Sequence, residues 1–482
     1  MKKPSILLAL VPITVLVLLI VIGVYLFGED LTSGPSQIAL ITGSVVAALI
    51  CLLYLKIPWE KIEEGMMDNM SKTTSALFIV LMIGALTASW TLSGVVPSIV
   101  YYGLKIIDPS VFLVVVFIFT GLISTMIGSS WTTVGTIGVA MLSAGHIMGF
   151  DSGWLAGAIL SGAYFGDKVS PLSDTTNLSA SIARVNLYEH VKYVLITNVP
   201  TFVLTAIFFG VAGILIPNND NLDVAAQCES LASNFNISLW LFLIPGVTIF
   251  LMYKKISPYI TLFCSALLGA FVAVFAQPQI IAQISPYDVN SLQTLMYAPL
   301  KLLSSPVEIA TGDPLIDDLA STNGMYGMLN TVWLVMCVSA FGAVMEVGGF
   351  IEVITVKLSK LIKSCVSLVA TTATTCVVCN LVLSDQYMSI IIPGKMFSKM
   401  YEDNGYEGKL LSRTLQDSAA VTSVLIPWNS CGVVQSSVLG IPTLVYAPYC
   451  FFCYISPIIS VIIAATGYKI VHKISGKKEV EK

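Results

Sequence analysis

The sequence predicts an all-α polytopic membrane protein, and three observations carry that prediction. Of its 482 residues, 56% are hydrophobic and only 11% charged, against about 25% charged in soluble domains; mean hydropathy is +0.86. Apolar stretches long enough to cross a bilayer recur along the whole chain. Two of them are interrupted by a proline set among Ser, Thr, Asn and Asp. In hydrocarbon such groups persist only where they line a cavity or perform a task.

The first element is Met1-Lys2-Lys3 followed by apolar residues to Phe27. This run of about 22 residues exceeds the ~7–15 of a secretory h-region, and Gly28-Glu29-Asp30 offers no cleavage site, so it reads as a retained membrane helix. Further helices are expected near 37–55, 75–96, 110–127, 132–148, 154–183 (interrupted), 191–216, 237–252, 258–276, 328–349, 365–383, 387–400, 413–435 (interrupted) and 441–467, with polar loops at 217–236 and 277–327. The expected organisation is scaffold helices at 1–109, a first core at 110–216, connecting loops and scaffold at 217–364, and a second core with a cytoplasmic tail at 365–482.

Lys and Arg distribution sets the orientation, because basic short loops stay cytoplasmic. Lys2/Lys3, Lys56/Lys61/Lys72, Arg184/Lys192, Lys254/Lys255, Lys357/Lys360/Lys363, Lys395/Lys399/Lys409/Arg413 and Lys469/Lys473/Lys477/Lys478 form one set, and the intervening connections at 28–36, 217–236 and 277–327 carry almost none, Lys301 excepted. Both termini are therefore expected in the cytoplasm. With that orientation, a polar hairpin followed by a broken helix occurs twice in opposite senses. The first hairpin turns at Gly128-Ser129-Ser130 before 154–183, the second at Ser384-Asp385-Gln386 before 413–435. This is the pattern of an inverted-repeat secondary transporter with hairpins and two broken helices, its site at the repeat interface.

The breaks carry the chemistry. In Gly166-Asp167-Lys168-Val169-Ser170-Pro171-Leu172-Ser173-Asp174-Thr175-Thr176-Asn177, Pro171 removes a backbone donor and disfavours helix at Ser170. Pro427 does the same in Leu425-Ile426-Pro427-Trp428-Asn429-Ser430-Cys431-Gly432. Freed carbonyls beside Ser170, Thr175, Thr176, Asn177, Ser418, Thr422 and Asn429 supply hard oxygens suited to Na⁺. Four aspartates, Asp167, Asp174, Asp385 and Asp417, fall at breaks or hairpin tips. A carboxylate shielded from water releases its proton less readily, and Na⁺ beside it favours the ionised form. Competition of H⁺ and Na⁺ for one such group is antiport in its simplest form. Asp174 is the first choice because no basic residue adjoins it. Lys168 and Arg413 are expected instead in structural ion pairs, Lys168 with Asp167 and Arg413 with Asp417, and Glu346 at the interface. Ser129, Ser130, Thr133 and Ser384 at the hairpin tips are candidates for binding a substrate carboxylate.

The remaining residue types narrow the class. Three histidines and the pairs Cys376/Cys379 and Cys450/Cys453 provide no zinc set, and the cysteines read as apolar packing. The net charge of −4 suggests no nucleic-acid partner. No Walker loop, nucleotide fingerprint or nucleophile elbow occurs. Enzymatic chemistry and ATP-driven pumping therefore lack support. No cofactor is expected; the partners are the lipid bilayer and the cargo, and a homodimer is compatible with the class.

The two broken segments, Gly166–Asn177 and Leu411–Gly432, closely resemble the signature runs of NhaC-type sodium/proton antiporters, as do Ser384-Asp385-Gln386-Tyr387 and Tyr446-Ala447-Pro448-Tyr449. The resemblance extends over roughly 55–465. It implies Na⁺/H⁺ exchange across a prokaryotic inner membrane within a superfamily of inverted-repeat carriers, some of which exchange malate and lactate. The chain departs from that pattern at Gln416, where an acidic residue is common, at Ala419-Ala420 in place of Gly-Thr, and at Thr322-Asn323-Gly324 in place of Ser-Gly-Gly. Exchange of a small organic anion or amino acid is the alternative expectation.

Overall fold

The computed structural model describes residues 4–28, 33–216, 224–254, 256–360 and 362–471. Among them, eight helices are long and apolar enough to cross a membrane, or ten if two bent pairs each count as one span. The protein is an all-α polytopic membrane protein. The apolar character that makes these helices insoluble singly is met by lipid outside and by three buried side-chain clusters inside.

Each half of the chain builds the same local device. In the first, helix Pro109–Ile127 ends at Gly128 (φ +76°) and Ser129 caps the next helix by accepting from Thr132 N. In the second, helix Cys365–Leu383 ends at Ser384 (φ +59°) and Asp385 caps helix Gln386–Asp403 by accepting from Met388 N. One left-handed residue followed by a side-chain cap is the shortest way to reverse a helix while satisfying its end groups.

Both breaks occur at the prolines. Helix Ser152–Val169 stops at Ser170, and Asp174–Ile182 restarts after Ser173 caps Thr176 N. On the other side, Gly408–Leu415 passes through a wide-turn stretch Gln416–Ala420, the chain becomes extended at Ile426, and Ser430–Leu439 restarts from Asn429, which caps Cys431 N. Each hairpin tip touches the break of its own half. A Cβ on Gly128 would fall 2.7 Å from Leu172 Cβ, and Ser430 N donates to Ser384 O at 2.8 Å. Helices Pro109–Ile127 and Ser152–Val169 approach closely at Gly121, Gly162 and Gly166, the small-residue contact that membrane helices favour.

Three expected elements differ. The helix expected at 75–96 runs Trp59–Leu92, and a separate helix Val95–Ile106 follows it. The single helix expected at 441–467 is divided: Thr443–Tyr446 and a tight turn at Ala447–Tyr449 precede Phe451–Thr466. Pro448 removes a backbone donor there. The described parts of the two long loops also carry short helices, Val224–Asn234, Pro278–Ile284, Leu292–Ser304 and Pro314–Ala320.

Candidate functional site

A cavity of about 590 Å³ lies where both hairpin tips and the first break converge. The first tip contributes Gly128 to Thr132, the first break Asp167 and Pro171 to Thr175 with Asn177, and the second hairpin Gln386 and Tyr387. Lys72, Leu187, Met252 and Ile256 to Pro258 are also on its lining.

Two carboxylates stand in this cavity, and they are held differently. Asp167 is buried; its Oδ2 accepts from Ser130 N (3.2 Å) and Ser130 Oγ (2.7 Å), so the first hairpin tip clasps it. Asp174 opens the helix after the break, exposed to the cavity, and makes no hydrogen bond or ion pair among the described residues. No Lys or Arg among the described residues pairs with either. Lys72, also on the lining, is paired with Asp68 at 2.5 Å.

The other candidate oxygens divide between cavity and scaffold. Ser129, Ser130, Thr175 and Asn177 line the cavity. Ser170 Oγ accepts from Leu172 N, and the Asn177 amide donates to Pro171 O and Ser173 O, so both brace the break itself. Thr422 donates to Ser418 O and accepts from Asn380, while the Asn429 amide donates to Asn380 O, bracing the second break. Thr133 donates to Ser129 O. Asp385 serves as a helix cap. Ser384 Oγ and Ser418 Oγ are buried with no hydrogen-bond partner among the described residues.

Beneath the cavity the two breaks are tied together. Gln416 Oε1 accepts from Ser179 Oγ (2.8 Å), and its Nε2 donates to Thr175 Oγ1 (3.2 Å) and Thr176 Oγ1 (3.0 Å). Lys168 does not pair with Asp167, as the sequence suggested. It reaches Asp417 Oδ1 at 2.5 Å and donates to Ser456 Oγ at 2.8 Å. Adjacent helix residues point about 100° apart and cannot face each other, so Lys168 turns to the opposite break while Asp167 turns to the hairpin. Arg413 does sit near Asp417, with Nε 3.8 Å from Oδ2, and lies over the Tyr193 ring at 4.8 Å. Thr197 Oγ1 donates to Asp417 Oδ1 at 2.9 Å. With two cations around it, Asp417 is a junction between the halves. Asp167, Asp174 and Asp385 carry no Lys or Arg partner among the described residues, and of these Asp167 and Asp174 line the cavity.

Sequence reasoning missed Gln416, Tyr387, Trp131 and Lys72 as site residues. Gln416 was visible as a departure from the family pattern, and Tyr387 adjoins the second hairpin tip.

A family model described as the Na⁺/H⁺ antiporter family matches residues 162–468, which include both breaks. Curated relatives cover nearly the whole chain. The Na⁺/H⁺ antiporter NhaC of Alkalihalophilus pseudofirmus is 33% identical over 88% of this chain and 90% of that protein. The arginine/ornithine antiporter ArcD of Halobacterium salinarum is 32% identical over 98% and 94%. The malate-2H⁺/Na⁺-lactate antiporter of Bacillus subtilis is 32% identical over 90% of each. Two proline-broken helices joined at Gln416 and Asp417, and these matches along nearly the full length, lead to one assignment: the chain belongs to the Na⁺/H⁺ antiporter family.

Proposed function

We propose that the protein is a secondary antiporter of the cytoplasmic membrane that exchanges Na⁺ for H⁺ by alternating access, with Asp174 and Asp167 as the carboxylates for which the two ions compete. One observation carries the reading: the cavity reaches two carboxylates that no Lys or Arg among the described residues neutralises. Hydroxyls of Ser129 and Thr175 and the Asn177 side chain supply neutral oxygens around them. Na⁺ needs such a hard-oxygen shell, and a proton on the same carboxylate removes the charge that holds the ion. Lys72, Leu187 and Ile256 to Pro258 line the cavity and adjoin basic connections in the sequence, which supports an inward-facing state with both termini cytoplasmic.

A second reading is favoured by size. About 590 Å³ falls within the range of small-molecule sites and far exceeds a bare Na⁺. Two carboxylates beside Trp131 and Tyr387 suit an organic cation such as a basic amino acid, since aromatic faces attract cations. ArcD is named for such a pair and the malate/lactate relative for organic acids.

Proteoliposomes decide between the two. Under the first reading, an imposed Na⁺ gradient drives proton movement in the wild type, and Asp174→Asn abolishes it in folded protein. Full exchange by Asp174→Asn would sink the assignment of that residue. Counterflow of a labelled basic amino acid without Na⁺-driven proton movement would establish the second.

A further inference from the structure

Thr132 lines the cavity, and buried polar residues continue beyond the lining. Ser161 and Tyr164 lie on helix Ser152–Val169, about two turns and one turn before Asp167, and Gln435 on helix Ser430–Leu439, past the second break. Thr132 Oγ1 and Ser161 Oγ are buried with no hydrogen-bond partner among the described residues, and Tyr164 Oη and the Gln435 amide, also buried, face each other without a well-formed hydrogen bond. The zone is continuous: Tyr164 lies against Cys431 and Gln435, and Cys431 against Trp131, which lines the cavity.

Burying such groups poorly paired is costly, and a zone built only for packing is filled by apolar side chains at less cost. A tight seam covers the zone. Gly153 and Gly157, one turn apart, face Tyr449; a Cβ on Gly153 would fall 2.6 Å from Tyr449 Cε2, and one on Gly157 2.6 Å from Tyr449 O. The Trp154 ring packs on Tyr449 with centroids 4.5 Å apart. Helix Ser152–Val169 precedes the first break, whereas Thr443–Tyr449 is bent 91° from the helix that follows the second. The seam therefore joins the two halves, on the far side of the breaks from the cavity.

We propose that Thr132, Ser161, Tyr164 and Gln435 line the outer half of the transport path, collapsed in this state, and that the contact of Gly153 and Gly157 with Tyr449 is the gate sealing it. This rests on the alternating-access reading above. In the opposite state the buried hydroxyls and amide meet water or cargo. Being neutral, they lend oxygens to a passing cation without holding it, as a conducting path requires.

The test uses full-length protein in which Cys431 is the sole cysteine, reconstituted and treated from the outer face with a charged, membrane-impermeant thiol reagent. Cys431 is buried, so its modification reports opening. Gly157→Val, which overfills the seam, is expected to raise the labelling rate at least tenfold; Tyr449→Ala, which removes the ring without adding bulk, gives the same result should the valine variant not fold. Gln435→Leu is expected to cut exchange at least tenfold while cargo still raises the melting temperature from the inward side. Unchanged labelling in folded seam variants, or full exchange by Gln435→Leu, would overturn the gate. Loss of the transporter reading shows separately, as absence of exchange in the wild type with every cargo tried.

Discussion

Lys168, Arg413 and Asp417 are fully buried, two cations around one carboxylate, and this asymmetry ranks their substitutions. Removing one partner of a buried ion pair costs about 3–5 kcal/mol. Lys168→Met leaves Asp417 beside Arg413, whereas Asp417→Asn strands both cations. Asp417→Asn should therefore lower the melting temperature more than Lys168→Met, and the double variant should recover part of the loss. A melt in which Asp417→Asn matches the wild type would remove the junction role. Asp174 makes the opposite prediction, because nothing among the described residues is paired with it. Asp174→Asn should leave stability within about 0.5 kcal/mol and reduce exchange at least a hundredfold, read by melting and by vesicle assay on the same preparation. The sequence placed all four aspartates at breaks and tips. It could not assign their partners, since chain adjacency makes Lys168 look like the partner of Asp167 while helix geometry directs it across the molecule.

At the scale of elements, the two hairpin tips are alike in backbone and unlike in residue. Gly128 occupies the left-handed position of the first tip at no steric cost. Ser384 occupies it in the second at φ +59° with its hydroxyl buried and unpartnered. A serine there costs about 1 kcal/mol in backbone strain and more for the lone hydroxyl, and outliers of this kind cluster where a ligand or a switch needs them. Ser384→Gly should thus raise the melting temperature by a few degrees and slow exchange. If it stabilises without touching transport, the serine has no part in the cycle. Gly128→Ala should destabilise, because its Cβ meets Leu172 as well as the strained φ. Proline placed both breaks correctly in the sequence, and hydropathy placed most helices. The start of helix Trp59–Leu92 was hidden by Glu60, Lys61, Glu63, Glu64 and Asp68, which make its first turns polar. The division at Pro448 was hidden for the opposite reason, since apolar residues on both sides average it away.

For the whole molecule the open question is which cargo the cavity selects, and its charge gives a definite expectation. Asp167 and Asp174 contribute two negative charges when ionised, and Lys72 is already engaged with Asp68. A cation is therefore favoured over a dicarboxylate, which would meet like charge at close range. Ligands that bind only the folded state stabilise it by about 2.7 kcal/mol at a hundred times their Kd, so melting reports occupancy without any assumption about transport. Na⁺ should raise the melting temperature, malate should not, and Asp174→Asn should abolish the Na⁺ response. A basic amino acid that stabilises in the absence of Na⁺ would identify the organic cation as cargo. Stabilisation by malate that survives Asp174→Asn would mean that the hairpin-tip hydroxyls and backbone N–H groups, rather than the carboxylates, define the site. Gln416 offers an independent check on the same electrostatics. It lies under the cavity and donates to Thr175 and Thr176, so Gln416→Glu exchanges two donated hydrogen bonds for a third carboxylate. Cations should then bind more tightly and leave more slowly, seen as a larger Na⁺-induced melting shift with a lower maximal exchange rate.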